Sequence, residues 1–279
     1  MYPVDDLPLK PMTENDNTRP GVFQRLDFTA DYISSGGGAQ SLAMSKISLQ
    51  AVFGFPCPSK ESPLLITPYF ESTFLSDTPA DAALSSTLYR TGVNIAWVAQ
   101  LTDRWGIYAY ISPAISSDFR ASDSAFRLPG GVVGTYKWND KWTVTLGAAY
   151  TSYSSWPVSP ICGLTWTPCS DWRFEFLIPR PRICHKMNSP WSQNRYWVYI
   201  GGEYGAGTWA VKDEFNNDDL LSYRDLRACL GIEKDNRTIG KLDFNAEIGV
   251  SFWRKLYYDN SPVEYCPNPG LFARFKILY

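Results

Sequence analysis

The feature that most constrains this chain is an alternation of apolar and polar residues with a period of two, repeated along most of its length. Successive side chains of a strand point to opposite faces, so this rhythm marks a sheet whose two faces meet different surroundings. Leu226, Ala228, Leu230 and Ile232 share one face, and Asp225, Arg227, Cys229 and Gly231 the other. Leu242, Phe244, Ala246, Ile248, Val250 and Phe252 oppose Asp243, Asn245, Glu247, Gly249 and Ser251. Ile47, Leu49 and Ala51 likewise oppose Lys46, Ser48 and Gln50, and Trp142, Val144, Leu146 and Ala148 oppose Thr143, Thr145 and Gly147. No helical period of 3.6 competes with this pattern, and no run of roughly 18 apolar residues offers a membrane helix.

About 14 segments of this kind, each roughly 8–13 residues long, are within reach of a tilted membrane strand. Their centres lie near Phe28, Ala51, Phe70, Ile95, Ile111, Val132, Leu146, Leu164, Phe176, Val198, Ala210, Ala228, Ala246 and Phe275. Merging those at Phe176 and Ala210 leaves about 12, and an even count is the norm for single-chain bacterial barrels. The expected fold is all-β, a single antiparallel up-and-down transmembrane β-barrel over residues 22–279, with residues 1–21 a polar periplasmic tail. Short connections at Thr102-Asp103-Arg104, Asn139-Asp140-Lys141 and Cys169-Ser170-Asp171 alternate with longer polar ones at 76–87, 117–125, 152–157 and 187–193. Short periplasmic turns and long outer loops are the outer-membrane pattern. Trp105, Trp138, Trp142, Trp166 and Trp172 edge the short turns, where indoles suit a membrane interface. The last alternating strand, Leu271 to Tyr279, finishes on an aromatic residue, as strands read by the barrel-assembly machinery do.

Charge narrows the function classes. Lys plus Arg number 26 against 28 Asp plus Glu, which leaves no basic surface for nucleic acid. The first residues carry no apolar stretch of a secretory signal, so an exported chain would have had its signal removed. The six cysteines, Cys57, Cys162, Cys169, Cys184, Cys229 and Cys266, form no CxxC pair, which argues against a zinc or thioredoxin-like site and leaves any disulfide open.

Several stretches resemble a family of bacterial outer-membrane β-barrels of uncharacterised function: PCPSKESPLLITPYF (56–70), WGIYAYISPAISSDF (105–119), GLTWTPCSDWRFEFLIPRPRI (163–183) and YIGGEYGAGTWAV (199–211). The WTP, WR and PRPR elements of the third are the most specific. The resemblance implies a barrel in the outer membrane and brings no catalytic or binding residues with it.

With the aliphatic face toward lipid, parity sends a charged set inward. Its members are Arg25, Asp27, Asp31, Lys46, Glu71, Arg90, Arg173, Glu175, Glu203, Asp225, Arg227, Asp243, Glu247, Arg274 and Lys276. Arg180 and Arg182 join them as lumen-lining candidates. Both signs occur, which points to cross-strand ion pairs filling or narrowing the lumen rather than a ring of one sign. Pro179 and Pro181 remove two ladder donors and predict a strand end, bulge or inward fold, with the two arginines toward water. His185, the lone histidine, would have to serve any Ser/His hydrolase, with Ser189 and Ser192 nearby, but it reads as structural. Gly36-Gly37-Gly38 reads as a loop tip, and Asn216-Asn217-Asp218-Asp219 as a solvated loop rather than a calcium site. No cofactor, metal or catalytic residue is expected. The partners expected are outer-membrane lipid and the assembly machinery. The expected function is a narrow pore for small solutes. The alternatives are a non-conducting structural or loop-binding barrel, and a soluble periplasmic barrel with an apolar ligand inside.

Overall fold

The computed structural model describes residues 21–59, 62–78, 84–121, 123–151, 157–187, 195–213, 216–235, 242–260 and 264–279. The polar tail expected over residues 1–21 lies outside them except for Gly21, and so do Ser189 and Ser192.

The strands are β1 (Phe23–Ile33), β2 (Ala43–Ser59), β3 (Ser62–Ser76), β4 (Thr87–Gln100), β5 (Trp105–Ile111) and β6 (Ala114–Ser117). They continue as β7 (Phe126–Arg127), β8 (Gly130–Asn139), β9 (Trp142–Tyr150), β10 (Val158–Cys169), β11 (Trp172–Ile178) and β12 (Arg182–Met187). The last are β13 (Arg195–Lys212), β14 (Asp218–Asp235), β15 (Asp243–Tyr258), β16 (Glu264–Tyr265) and β17 (Gly270–Leu278). β5 with β6, β7 with β8, and β16 with β17 are halves of single staves, because each pair faces one continuous neighbour. Proline interrupts each of them, at Pro113, Pro129, and Pro267 and Pro269, where a ladder donor is missing. Fourteen antiparallel staves result, and β1 pairs with β17 to close the barrel. At the seam, Leu26 N–H donates to the Tyr279 carbonyl at 3.0 Å and Tyr279 N–H returns a bond to Leu26 at 2.9 Å.

The stave count agrees with the period-two reading, but two staves differ. β13 is one strand of 18 residues that contains both expected centres, Val198 and Ala210. Gly201, Gly202, Gly205 and Gly207 thin its side-chain pattern, so one long strand reads as two. β12, only 6 residues long, went unread. It ends at Met187 opposite Tyr196, on the end that holds both termini. The connection after it therefore belongs with the short turns and not, as expected, with the outer loops. The Pro179–Pro181 segment is the turn between β11 and β12.

The aliphatic rows point outward. Leu242, Ile248 and Leu271 are 55%, 66% and 69% exposed, whereas Glu247 on the opposite face of β15 is 1% exposed. Asp225, Arg227 and Arg274 are likewise buried inside. A soluble barrel has the reverse arrangement, so that alternative is overturned. At the terminus end, stacked rings run around the outside: Trp142 on Trp166 at 5.3 Å, Trp166 on Phe174 at 4.9 Å and Trp172 against His185 at 4.4 Å.

The barrel changes circumference along its axis. Beyond Gly201, β13 has left its partner β12, and its outer half meets β6 instead through one parallel bridge, Ala210 to Ser117. Asp118 N–H donates to the Ala210 carbonyl at 3.0 Å, and Ser116 Oγ donates to the Thr208 carbonyl at 2.7 Å. At this loop end the wall runs β6, β4, β3, β2, β1, the β16/β17 stave, β15, β14, β13 and back to β6: nine staves where the terminus end has fourteen. β8 to β12 stop short of this ring.

Candidate functional site

The lumen is the candidate site, and its contents follow from inward parity. Arg274 of β17 is the hub. Its guanidinium reaches Asp31 of β1 at 2.9 Å, Glu203 of β13 at 2.7 Å and Glu247 of β15 at 3.2 Å. Glu203 also accepts from Arg227 of β14 at 3.0 Å, and Arg227 holds Asp225 at 2.8 Å. Ser251 Oγ donates to Asp225 at 2.6 Å. On the other side Asp31 pairs with Lys46 at 3.2 Å, Lys46 with Glu71 at 3.6 Å, and Arg90 of β4 with Glu71 at 3.6 Å. The chain of contacts thus runs from β4 through the barrel to β13. Each carboxylate is met by at least one guanidinium or ammonium group, as buried charge requires.

Arg180 enters this cluster from the β11–β12 turn rather than from a stave. It binds Glu247, and its Nε lies 3.5 Å from Glu203. The turn is docked by backbone bonds: Gly202 N–H donates to the Pro181 carbonyl at 2.9 Å and Tyr204 N–H to the Pro179 carbonyl at 3.3 Å. The two prolines lack N–H donors but keep their acceptors, and β13 uses both. The PRPR segment is a strand end, and it carries Arg180, though not Arg182, into this cluster.

Two satellite clusters lie nearer the terminus end. Glu175 is held by Arg173 and Arg182 at 2.7 Å each, and Arg182 also reaches Glu233 at 3.6 Å. Asp27 is met by Arg25 at 2.7 Å, Lys276 at 3.8 Å and Gln50 Nε2 at 2.8 Å. Asp243 is at the first position of β15, opposite Leu278. All the other parity candidates, with Arg180 and Arg182, fall into one of these three groups.

Parity missed the closure of the loop end. Ile33, Met44, Leu75, Leu88, Val211, Leu221, Leu256 and Phe272 face inward from eight staves and pack into one buried apolar layer. Arg254, 1% exposed, ties it to the loops. Its guanidinium donates to the carbonyls of Leu42 at 2.6 Å, Asn268 at 3.0 Å and Ser34 at 3.3 Å, and to Tyr223 Oη at 3.2 Å. Strict alternation from Phe252 would send Arg254 outward. A bulge reverses it: Trp253 adopts φ 51° and is turned out, and the register shifts between Arg224 and Leu226 opposite. The adjacent charges Arg254 and Lys255 were the available signal, because they break the period.

His185 lies in the aromatic belt against Trp172. Asp218 and Asp219 belong to β14, where Asp218 pairs with Lys212 at 3.0 Å and Asp219 accepts from Asn260 at 3.1 Å. All six cysteines are free thiols. Among the described residues, no group of acidic, histidine or cysteine side chains has the arrangement of a metal site.

Comparison with known proteins places the chain. The family described as "Domain of unknown function (DUF6268)" matches residues 73–266. This protein is a member of that family. The match runs from β3 to the end of β16, so it takes in the PRPR turn, Glu203, Asp225, Arg227 and Glu247, but not Asp31, Lys46, Glu71 or the hub Arg274. No curated protein matches in sequence. Among solved structures, similar ones include a bacterial polysaccharide outer-membrane secretin, 10% identical over 91% of this chain and 97% of that one, with TM-score 0.46. A mutant of the monoaromatic hydrocarbon channel TodX is 11% identical over 93% and 90%, TM-score 0.45. The NanC porin is 10% identical over 90% and 98%, TM-score 0.39. The barrel of this DUF6268 protein is established by its own closed strand register.

Proposed function

We propose that this protein is an outer-membrane barrel without a standing aqueous pore, a non-conducting member of a channel-like architecture whose lumen is filled from within. The observation that carries this reading is the pair of stacked seals. One is the buried ion cluster centred on Arg274, whose guanidinium links β1, β15 and β13 inside the barrel. The other is the layer above it, where apolar side chains from eight staves pack together and are buried. A conducting pore keeps charged residues on its walls and leaves the axis to water. Here the charges meet one another. The outward aliphatic rows and the aromatic belt at the terminus end support placement in a lipid bilayer. The lipid contact and recognition of the final stave by the assembly machinery belong to the same proposal.

Planar-bilayer recording tests it. Purified protein that inserts, shown by protease protection in the same vesicles, should give no discrete current steps in molar salt. Stable ohmic steps from the unmodified protein would sink the reading in favour of a narrow pore. A gated channel is a second reading, favoured by one observation: Arg180 comes from a turn held by two backbone bonds, so its withdrawal breaks no stave pairing.

A further inference from the structure

The outward wall is not uniformly convex. Across β3, β4, β5, β8, β9 and β10 it carries a cleft of about 850 Å³, within the ordinary range for ligand sites. Its floor follows one row of the sheet: Leu64 faces Trp97, Trp97 faces Ala109, Ala109 faces Val132, and Val132 faces Ala148. Alanine at two of these positions leaves the space that larger residues fill elsewhere on the wall. Ile111 and Tyr150 rise beside the floor, and Val158 closes its far end. The lining holds no acidic or basic side chain. Trp97, in the same row, has a buried indole N–H with no hydrogen-bond partner among the described residues.

We infer that this cleft is a binding site for the acyl chain of a bilayer lipid. The inference rests on the membrane placement proposed above. The cleft is continuous with the apolar outward face, and it opens among Ile95, Ile111 and Val132, which carry the same lipid-facing parity as Leu146. Its contents must therefore come from the medium around that face. A charged or hydrated ligand finds nothing to pair with. A flexible chain can follow a shallow depression that crosses six strands more closely than the wall of a second barrel can.

The test compares the full chain with Ala148→Trp, which fills the floor, and with Ile248→Trp on a distant outward site of β15. Each is reconstituted in bilayers of phosphatidylethanolamine and phosphatidylglycerol and re-extracted in a lipid-free detergent. Retained lipid is then counted by native mass spectrometry. The unmodified protein and Ile248→Trp should carry lipid through extraction, and Ala148→Trp should lose it. Ala109→Leu serves as a second filling variant if Ala148→Trp does not fold, judged by heat-modifiable mobility on gels. Equal retention by the filled and unfilled proteins, or no retention by any of them, overturns the acyl site while membrane insertion stands. Loss of a dimer in place of lipid would assign the cleft to a second copy. Failure of all the proteins to insert would instead remove the membrane reading itself.

Discussion

Arg274 illustrates how single residues act in this lumen. Its guanidinium serves Asp31, Glu203 and Glu247, all buried, and planar forked geometry suits such multiple pairing. A buried ion pair is weak evidence of net stability, but removing one partner leaves an uncompensated charge. Arg274→Met should therefore lower unfolding stability in lipid vesicles by about 3–5 kcal/mol, the range for breaking a buried pair. Double replacement of Arg274 and Glu203 by apolar residues should recover part of this, because it removes one of the stranded charges with the arginine. Urea midpoints at constant slope would check it, and an unchanged midpoint for the single variant would show the cluster to be water-filled. Asp118 acts at the nine-stave junction, outside the spanning staves. Burial pushes its carboxyl up, but bonds from Ser85 Oγ and from the amides of Arg120, Ala121 and Lys212 outweigh this and hold it below its ordinary value of 3.8. A lowered folded value stabilises above the unfolded one. This contribution should be complete near neutrality, begin to fall as pH drops toward 3.8, and be lost below the folded value. Stability measured against pH should show a shallower acid-side decline in Asp118→Asn than in the unmodified chain.

At the scale of elements, the long and short staves have different roles. β13, β14 and β15 run 18, 18 and 16 residues and carry both the ion cluster and the apolar layer. β11 and β12, at 7 and 6 residues, end early and deliver Arg180. Close pairing of the long staves depends on Gly249. A Cβ there would fall inside contact distance of the Ala228 carbonyl oxygen and 2.7 Å from Cys229 Cα, both backbone atoms that cannot swing aside. Gly249→Ala should cost about 1–3 kcal/mol, as overpacking does. It should also slow the appearance of the folded, heat-modifiable band. A neutral result would mean that β14 and β15 tolerate a wider spacing than their register shows.

For the whole molecule, the change from fourteen staves to nine converts a barrel wide enough for a lumen into one narrow enough for side chains to fill. On the closed-barrel reading proposed above, the apolar layer and the Arg274 cluster carry the seal, and the Arg180 turn only adds to them. Arg180→Ala leaves Glu247 with Arg274 and Tyr199, and leaves the apolar layer intact. It should therefore remain closed in planar bilayers. Current steps in this variant would make the turn a gate and favour the channel reading.

Alternation alone determined an all-β chain with two unlike faces and put nearly every charged candidate together on one of them, because a period-two pattern has only two faces. It was blind where period two is locally suspended. The Trp253 bulge turned Arg254 inward, glycines divided β13 in the reading, and six residues were too few to announce β12. Only the tertiary structure decided which face is enclosed and which strands meet across that space. The bridge from Ser117 to Ala210 joins residues 93 positions apart that no local rule connects.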